Sequence, residues 1–322
     1  MPLPPHASVG EPGDGNLRMG HHTPPIFISR YESPHRPLQY SFPPIPLSKK
    51  RVYCGKEYCY TCGERALAHG GEMNTSIPCY GIIPARYDSS RFPGKPLADM
   101  KGKYMIQRVY EQVKTVLDRV YVATDDRRIF DAVHSFGGKV VMTSENHKSG
   151  TDRCFEAYSR IGEGEDVIIN IQGDEPFIQT RQIEAIMECF ESEGTQIATL
   201  VKPFTKEDGF DALFNSNSPK VVLNNRNEAL YFSRSIIPYI RNYKYDTWLD
   251  HHVFYKHIGM YAYRADVLSE ITALPQSSLE IAESLEQLRW LQNGYRIKVG
   301  ITTQETIGID TPEDLERALK YL

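Results

Sequence analysis

The feature that most constrains this chain is an alternation of short, continuously apolar runs with amphipathic segments, which begins near residue 77. Such runs are typical of strands buried on both faces, and apolar residues recurring every three or four positions between them indicate helices. Strands that alternate with helices predict a doubly wound, largely parallel sheet with right-handed crossovers. The predicted strands of this half are 77–84, 120–123, 140–142, 166–171 and 197–201, and the predicted helices are 106–117, 127–136 and 181–192.

The second half of the chain is less regular. Lys220–Leu223 and Ala229–Ser233 predict two paired strands around the turn-rich segment 224–227. Thr311, followed by Pro312 and two acidic residues, predicts a helix start, because a hydroxyl cap, an early proline and acids near the positive helix end all favour one. The remaining predicted elements are strands at 258–263, 297–301 and 306–309 and one helix at 281–291.

The first 72 residues differ in composition from the rest of the 322-residue chain. They contain 11 of its 21 prolines and 5 of its 10 histidines. Proline fixes φ and removes a backbone donor, so we expect residues 1–72 to be a disordered or non-native extension, most clearly over 1–50. The functional unit is then 73–322, which begins at Met73 and which we expect to suffice for activity. The net charge of −4 divides into +2 for the extension and −6 for this unit.

Composition excludes several classes of protein. A net charge of −4 does not suggest a nucleic-acid partner, and no run approaches the roughly 18 to 20 apolar residues of a membrane helix. The scattered cysteines Cys79, Cys154 and Cys189 favour a reducing compartment, so we expect a cytoplasmic protein. A zinc site is disfavoured because its candidate ligands contain one tight cysteine pair, where zinc sites usually have two. Those candidates are Cys54, Cys59, Cys62 and His69.

Candidate binding residues follow the first predicted strand. The loop 84–96 contains Arg86, Arg91 and Lys95 beside small residues such as Ser89. Its cations and backbone amides suit a polyphosphate, although a solvated basic loop has the same composition. The glycine spacing matches neither a P-loop nor a dinucleotide fingerprint, which argues against an ordinary ATPase or dehydrogenase.

Two carboxylates and a small-residue turn follow later strands. Asp174 and Asp310 each stand just after a predicted strand, where open parallel sheets bind ligands, and such oxygens suit Mg²⁺ held against phosphates. Either aspartate could instead cap the helix that follows it. The turn 149–153 either lets a planar base approach closely or begins a helix capped by Thr151.

Eight motifs in order resemble those of one family, the 3-deoxy-manno-octulosonate cytidylyltransferases, also called CMP-Kdo synthetases. The resemblance covers residues 77–322, and eight motifs together are far more specific than any one of them. The motifs are PARYDSSRFPGKPL (84–97), VATDD (122–126), SGTDR (149–153), NIQGDEP (170–176), YFSR (231–234), KHIGMYAYR (256–264), LEQLR (285–289) and GIDTPEDL (308–315).

The resemblance implies a fold, a reaction and a cofactor. The family has an α/β, nucleotide-diphospho-sugar transferase-like three-layer sandwich with a mostly parallel sheet, and an antiparallel region for dimerisation and substrate binding in the second half. Its reaction converts CTP and the eight-carbon sugar acid Kdo into CMP-Kdo and diphosphate for lipopolysaccharide biosynthesis. Mg²⁺ as cofactor and a homodimer are implied in the same way.

The same resemblance assigns roles to individual residues. Arg86, Lys95 and Asp174 would be catalytic, and Asp174 and Asp310 would hold Mg²⁺. The residues that would bind CTP are Ala85, Arg86, Lys95, Ser149, Gly150, Thr151, Arg153 and Gln172. The residues that would bind Kdo are Arg234, whose guanidinium suits a carboxylate, and His257, Tyr261, Glu286 and Gln287.

One departure and three alternatives accompany this interpretation. Tyr104 stands where the family usually has proline, at a helix start, so stability rather than chemistry is affected. A sialic acid cytidylyltransferase would share the fold and the chemistry, although the motifs at 256–264 and 285–289 favour Kdo. A hydride-transferring dinucleotide enzyme would need the absent glycine fingerprint, and the intact basic and acidic site residues argue against a silent nucleotide-binding module.

Overall fold

The computed structural model describes residues 78–322 apart from Glu165 and Thr306. The predicted extension 1–72 and the candidate zinc ligands lie outside the described residues. The strands are β1 (Cys79–Ala85), β2 (Arg119–Thr124), β3 (Val140–Met142), β4 (Val167–Asn170), β5 (Ile197–Pro203), β6 (Lys220–Leu223), β7 (Ala229–Ser233), β8 (Tyr255–Arg264) and β9 (Ile297–Ile301). The α-helices are α1 (Met105–Lys114), α2 (Arg127–Ser135), α3 (Gly150–Ile161), α4 (Thr180–Glu188), α5 (Gly209–Phe214), α6 (Trp248–His251), α7 (Ala265–Thr272), α8 (Ser278–Glu283), α9 (Gln287–Gln292) and α10 (Pro312–Ala318). In this described part of the chain, no helix combines the length and the apolar character needed to cross a bilayer.

These strands form one mixed sheet. Seven of them lie side by side in the order β3-β2-β1-β4-β8-β5-β9, and all run parallel except β8, which is antiparallel to both of its neighbours. β6 pairs antiparallel with β7 and with the start of β8. The prediction of a mostly parallel sheet with an antiparallel region in the second half is confirmed.

Side chains that alternate along the strands divide the core into two apolar layers, one on each face of the sheet. In β8, Met260 and Ala262 belong to one layer, whereas Tyr261 and Tyr263 belong to the other. Helices α1, α2 and α4 cover the first layer, and α3, α7 and α9 cover the second. This arrangement is the predicted three-layer α/β sandwich.

The predicted strand at 306–309 is wrong. Residues 307–309 have no strand partner within the described part of the chain, because their backbone lies against a loop rather than against the sheet. The Ile309 N–H donates to Asp174 O (2.9 Å), and the Ile309 side chain packs in a small separate core with Met100 and Met105. This backbone hydrogen bond and the packing of Ile309 hold the segment before α10 next to the loop after β4.

The single helix predicted at 281–291 is also wrong, because the chain forms α8 and α9 with a break between them. Ser284 ends α8 in the left-handed conformation, with φ of 50°. Beside the break, the Glu283 carboxylate accepts hydrogen bonds from Ser233 Oγ (2.6 Å) and from the Arg234 N–H (2.9 Å). These contacts with the end of β7 hold the break in place.

The helix start predicted at Thr311 is confirmed, and it fixes the backbone of Asp310. Thr311 Oγ1 accepts the Asp314 N–H (3.2 Å), while Asp314 Oδ2 accepts the N–H groups of Asp310 (3.1 Å) and Thr311 (3.0 Å). This capping box satisfies donors that a helix start leaves unpaired. Since Thr311 is the cap, the alternative role of Asp310 as the helix cap is wrong.

Candidate active site

A cavity of about 340 Å³ lies at the carboxyl ends of β1 and β4, where open parallel sheets bind their ligands. It is lined by four segments that are distant in sequence: the loop after β1, the turn before α3, the loop after β4 and the segment before α10. Among its lining residues are the predicted nucleotide and metal residues Ala85, Arg86, Lys95, Ser149, Gly150, Arg153, Gln172, Asp174 and Asp310. Thr151 is the exception within that predicted set.

The basic loop after β1 is closed at Gly94. The Gly94 N–H donates to Tyr87 O (2.9 Å), and its φ of 71° is one that glycine adopts without strain. An added Cβ at Gly94 would come within 3.0 Å of the Tyr87 ring. The closed loop places Arg86, Arg91 and Lys95 on the wall of the cavity, so the predicted phosphate-binding cations converge.

Cations and carboxylates of the cavity are paired with one another. Lys95 Nζ lies 2.5 Å from Asp174 Oδ2 and 3.4 Å from Asp310 Oδ1. Arg91 Nη1 lies 3.3 Å from Asp310 Oδ2. The Lys95 side chain is 13% exposed, while those of Asp174 and Asp310 are 31% and 50% exposed. A largely buried ammonium therefore stands between two carboxylates that are open to the cavity.

Asp174 and Asp310 fit the predicted magnesium site. Both carboxylates have an oxygen within 3.4 Å of one cationic nitrogen, so they converge on a single cation. Carboxylate oxygens suit Mg²⁺, which usually takes one or two of them and completes its shell with waters and substrate phosphates. No group of three or more His, Cys, Asp or Glu side chains that could hold a metal ion is found among the described residues.

Gly173 allows the loop after β4 to approach the end of β1 closely. A Cβ at Gly173 would lie 3.1 Å from Pro84 O, which is tighter than an ordinary contact and would require the backbone to shift by a few tenths of an ångström. At Gly150, by contrast, a Cβ would make only ordinary van der Waals contacts, 3.4 Å from Pro84 Cγ and 3.8 Å from Asn170 Nδ2. The absent side chain of Gly173 thus lets the loop that carries Asp174 pack directly on β1.

The turn before α3 is capped by Ser149, so the alternative in which Thr151 caps this helix is wrong. Ser149 Oγ accepts the Asp152 N–H (3.1 Å). Thr151 is 3% exposed, and its hydroxyl donates to Glu286 Oε2 (2.6 Å). Thr151 therefore connects the predicted nucleotide side of the site with a residue of the predicted sugar side.

Arg153 lines the cavity, and its guanidinium is paired with the Asp125 carboxylate. It is 4% exposed, and it donates from Nη2 to Asp125 Oδ2 (2.6 Å) and from Nη1 to Thr143 Oγ1 (2.6 Å). Because both contacts are short and the group is buried, the guanidinium is held in one orientation.

Four of the five predicted sugar residues, His257, Tyr261, Glu286 and Gln287, lie on β8 and at the start of α9, whereas Arg234 follows β7. His257 Nε2 lies 2.9 Å from Thr199 Oγ1, and burial lowers the pKa of His257 to about 3, so the ring is neutral. Burial raises the pKa of the Glu286 carboxyl above its usual value, against the hydrogen bond from Thr151 and the positive charge of Arg289. Arg289 Nη2 donates to Glu286 Oε1 (2.7 Å).

Two atoms of this sugar set are buried without a hydrogen-bond partner among the described residues. They are Tyr261 OH and Gln287 Nε2, on side chains whose residues are 9% and 4% exposed. The Tyr261 and His257 rings lie 5.2 Å apart between centroids. Buried polar atoms without partners are costly to a fold, and a polyhydroxylated ligand would supply the missing partners.

Arg234 contacts backbone carbonyl groups. Its Nε donates to Glu283 O (2.6 Å), its Nη1 to Ser216 O (2.9 Å) and its Nη2 to Ser284 O (3.1 Å). These bonds join the end of β7 to the loop 215–218 and to the break between α8 and α9. None of the five predicted sugar residues, Arg234 included, is among the residues that line the described cavity.

Sequence reasoning missed His147 and Lys148, which line the cavity just before Ser149. His147 Nε2 is paired with the Glu156 carboxylate, and Glu156 Oε2 also accepts the Ser144 N–H (2.8 Å). Their position next to the motif at 149–153 was a signal that could have found them. The pairing with Glu156 has no such signal, because it depends on how α3 packs against the preceding loop.

Comparison with known proteins agrees with this geometry. The sequence model of the family described as Cytidylyltransferase matches residues 80–299. A 3-deoxy-manno-octulosonate cytidylyltransferase from Parabacteroides distasonis is 74% identical over 243 residues, which are 75% of this chain and 97% of the relative. A relative of the same description from Phocaeicola vulgatus is 69% identical over 242 residues, which are 75% of this chain and 96% of the relative.

Solved structures show the same relationship. A CMP:2-keto-3-deoxy-manno-octonic acid synthetase complexed with CTP superposes with a TM-score of 0.70 at 43% identity, covering 76% of this chain and 98% of that chain. A glucose-1-phosphate thymidylyltransferase from Bacillus anthracis, with a TM-score of 0.53 and 17% identity over 76% of this chain and 94% of that chain, shares the fold alone. From its sequence, its sheet and its strand-end cavity, this chain belongs to the 3-deoxy-manno-octulosonate cytidylyltransferase family.

Proposed function

We propose that this protein activates Kdo by cytidylyl transfer, converting CTP and 3-deoxy-D-manno-octulosonate into CMP-Kdo and diphosphate for lipopolysaccharide biosynthesis. The observation that carries the proposal is the single cavity in which Arg86, Lys95, Asp174 and Asp310 meet at the carboxyl end of the sheet. Family membership supports the choice of substrates, because the relatives are described as cytidylyltransferases of this sugar acid and one was solved with CTP.

Cytidylyl transfer depends mainly on position and charge. The anomeric 2-hydroxyl of Kdo forms a bond to the α-phosphorus of CTP, and the bond to diphosphate breaks in line on the opposite side. Negative charge develops on the nonbridging and leaving oxygens, where Arg86 and Lys95 stabilise it. Because the Lys95 side chain is only 13% exposed, water screens its charge less than that of a surface lysine.

Mg²⁺ is the proposed cofactor, with Asp174 and Asp310 as its protein ligands. When bound, it supplies a Lewis acid that neutralises phosphate charge and favours ionisation of the sugar hydroxyl. The chain contributes two fixed carboxylates. Asp174 is positioned by the close contact of Gly173 with Pro84, and Asp310 is positioned by the capping box of α10.

Nucleotide binding is proposed for the turn before α3 together with the end of β1. Ala85, Ser149 and Gly150 present small side chains and backbone groups there, which favours a flat pyrimidine over a larger purine. Gln172 Nε2 donates to Gly259 O (3.3 Å), which holds Gln172 between this wall and the metal ligands. Thr151 lies beside this wall at the start of α3, and its hydroxyl donates to Glu286 of the proposed sugar side.

Sugar binding is proposed along β8 and the start of α9. Tyr261 OH and Gln287 Nε2 are buried and have no hydrogen-bond partner among the described residues. The hydroxyls of Kdo are the proposed partners. Neutral His257 can exchange hydrogen bonds with hydroxyls without adding charge, and Glu286 accepts them. Arg234 has five N–H donors and uses one from each nitrogen on backbone carbonyls, so the proposal that it also binds the Kdo carboxylate requires the remaining two.

The assembly is proposed to be a cytoplasmic homodimer formed through an exposed aromatic surface. The side chains of Phe214, Tyr239, Tyr243 and Tyr245 belong to residues that are 53%, 66%, 50% and 52% exposed. Clustered exposed aromatic residues are typical of protein interfaces, and a second copy of the chain is the partner that the family resemblance implies. Light scattering that gives twice the monomer mass supports this, whereas a monomer mass contradicts it.

The activity is tested by diphosphate release from CTP with Kdo, with sialic acid and without a sugar. We expect diphosphate to be released from CTP when Kdo is present, and not with sialic acid or without a sugar. We expect Asp174→Ala to abolish this release while its melting temperature stays near that of the wild type. Asp131→Ala is the matched control, since Asp131 lies on the exposed face of α2, pairs with Arg127 and should leave activity unchanged. Release with sialic acid in place of Kdo contradicts the proposed substrate, and normal turnover by Asp174→Ala contradicts the metal assignment.

A further inference from the structure

Lys95 has two sets of possible partners in the proposed reaction. In the structure its ammonium contacts Asp174 Oδ2 at 2.5 Å and Asp310 Oδ1 at 3.4 Å. In the proposed reaction the same ammonium neutralises the triphosphate, while the same two carboxylates hold the divalent cation. One side chain therefore takes part in two arrangements that exclude each other.

The two arrangements exclude each other because they place two cations on the same pair of carboxylates. The ammonium, 2.5 Å from Asp174 and 3.4 Å from Asp310, stands where a cation shared by both carboxylates would stand, and two cations at such short range repel each other strongly. Arg91 already accompanies Asp310 on its other oxygen at 3.3 Å. A divalent cation held by both carboxylates thus requires that Lys95 first withdraw.

The Lys95 side chain can move without the loop moving with it. The Lys95 backbone is fixed, since its N–H donates to Phe92 O (3.2 Å) and its carbonyl accepts the Ala98 N–H (3.0 Å). The ammonium is carried on a flexible four-carbon stem. Lys95 lines the same cavity as Arg86, so a triphosphate bound there offers the ammonium a new anionic partner within reach of the stem.

We propose that Lys95 is an internal counter-ion that sets the order of binding. It holds Asp174 and Asp310 until a triphosphate takes over its ammonium, and only then do both carboxylates hold the divalent cation. The inference rests on the proposed use of this cavity for a metal and a nucleotide, and it adds that the metal alone binds poorly. Lys95 thereby keeps the two carboxylates together before substrate arrives.

Binding of Mn²⁺ to the full chain, without nucleotide or sugar, tests the proposal. Electron paramagnetic resonance measures the free Mn²⁺ as protein is added. We expect Lys95→Met to bind Mn²⁺ about tenfold more tightly than the wild type, because the competing cation is gone. Lys148→Met is the matched control, since it removes an equal charge from another residue of the cavity wall and should change the affinity by no more than about twofold.

Two further measurements make the result decisive. Lys95→Gln replaces Lys95→Met if the latter does not fold, and Asp174→Asn added to either variant should abolish the gain, which assigns it to this site. Lys95 variants that bind Mn²⁺ no more tightly than the wild type overturn the proposal, and so does an equal gain in Lys148→Met. The Mn²⁺ measurement contains no substrate, so it tests the role of Lys95 independently of the proposed substrate. A failure of the protein to use Kdo would appear only in the turnover assay.

Discussion

Replacing Thr151 with valine tests the hydrogen bond that joins the two sides of the active site. Thr151 is 3% exposed, and its hydroxyl donates to Glu286 Oε2 at 2.6 Å. A hydrogen bond to a charged group contributes about 1.5–3 kcal/mol. Glu286 keeps the hydrogen bond from Arg289, so we expect the lower end of that range, a loss of about 1.5 kcal/mol in the free energy of unfolding.

That loss corresponds to a melting temperature about 3–6 °C lower for a chain of this size, which calorimetry resolves easily. Thr151→Ser keeps the hydroxyl and is the control, with most of the stability retained.

The kinetic effect of Thr151→Val identifies which substrate depends on the residue. Since Thr151 positions Glu286, a proposed sugar ligand, we expect the KM for Kdo to rise about three- to tenfold and the KM for CTP to change less than about twofold. Steady-state diphosphate release, with each substrate varied in turn, gives both values. A rise in the KM for CTP alone, with unchanged stability, would refute the reasoning and return Thr151 to direct nucleotide contact.

Three further substitutions test other parts of the site. Gly173→Ala should lower kcat about tenfold or more, because its Cβ would lie 3.1 Å from Pro84 O and would shift the loop that carries Asp174; an unchanged kcat contradicts this. Tyr261→Phe removes a buried hydroxyl that has no partner among the described residues, so the melting temperature should not fall while the KM for Kdo rises about tenfold; an unchanged KM argues against sugar contact. Burial lowers the pKa of His257 from 6.5 to about 3. Between these pH values the imidazole is protonated in the unfolded chain but not in the folded protein, so the free energy of unfolding decreases as the pH falls from 6.5 towards 3. In urea titrations at successive pH values, the free energy of unfolding of His257→Gln should decrease less over this pH range than that of the wild type. An equal pH dependence in both proteins contradicts the assignment.

Features that depend on local sequence were predictable. Continuous apolar runs located the buried strands, since burial on both faces leaves little room for polar residues. The Thr311 cap could be read from four adjacent residues, because its hydrogen bonds close within one turn. Asp174 and Lys95 were found because parallel strands bring their carboxyl ends to one edge, so residues just after different strands converge there.

Features that depend on tertiary contacts were not predictable. The Thr151–Glu286 hydrogen bond joins residues that are 135 positions apart, and no local sequence pattern predicts it. Ser284 interrupts a segment with ordinary helical periodicity, because contacts of Glu283 with the end of β7 fix the break. The segment 307–309 reads as a strand by composition, yet in the described part of the chain it lies beside a loop rather than beside another strand.

The position of β8 has a consequence for how this protein is made. β8 separates β4 from β5, and its register places Tyr261 opposite Asn170. A growing chain therefore exposes the unpaired edge of β4 until residues 255–264 have left the ribosome, and such edges invite aggregation. Closing so long a loop is slow relative to local helix formation. An amino-terminal fragment that ends after Asp174 would contain the four adjacent strands β3-β2-β1-β4 with Arg86 and Lys95, but it would lack Asp310 and the strand that covers the edge of β4. The active site is therefore complete only after the carboxyl-terminal residues have been synthesised.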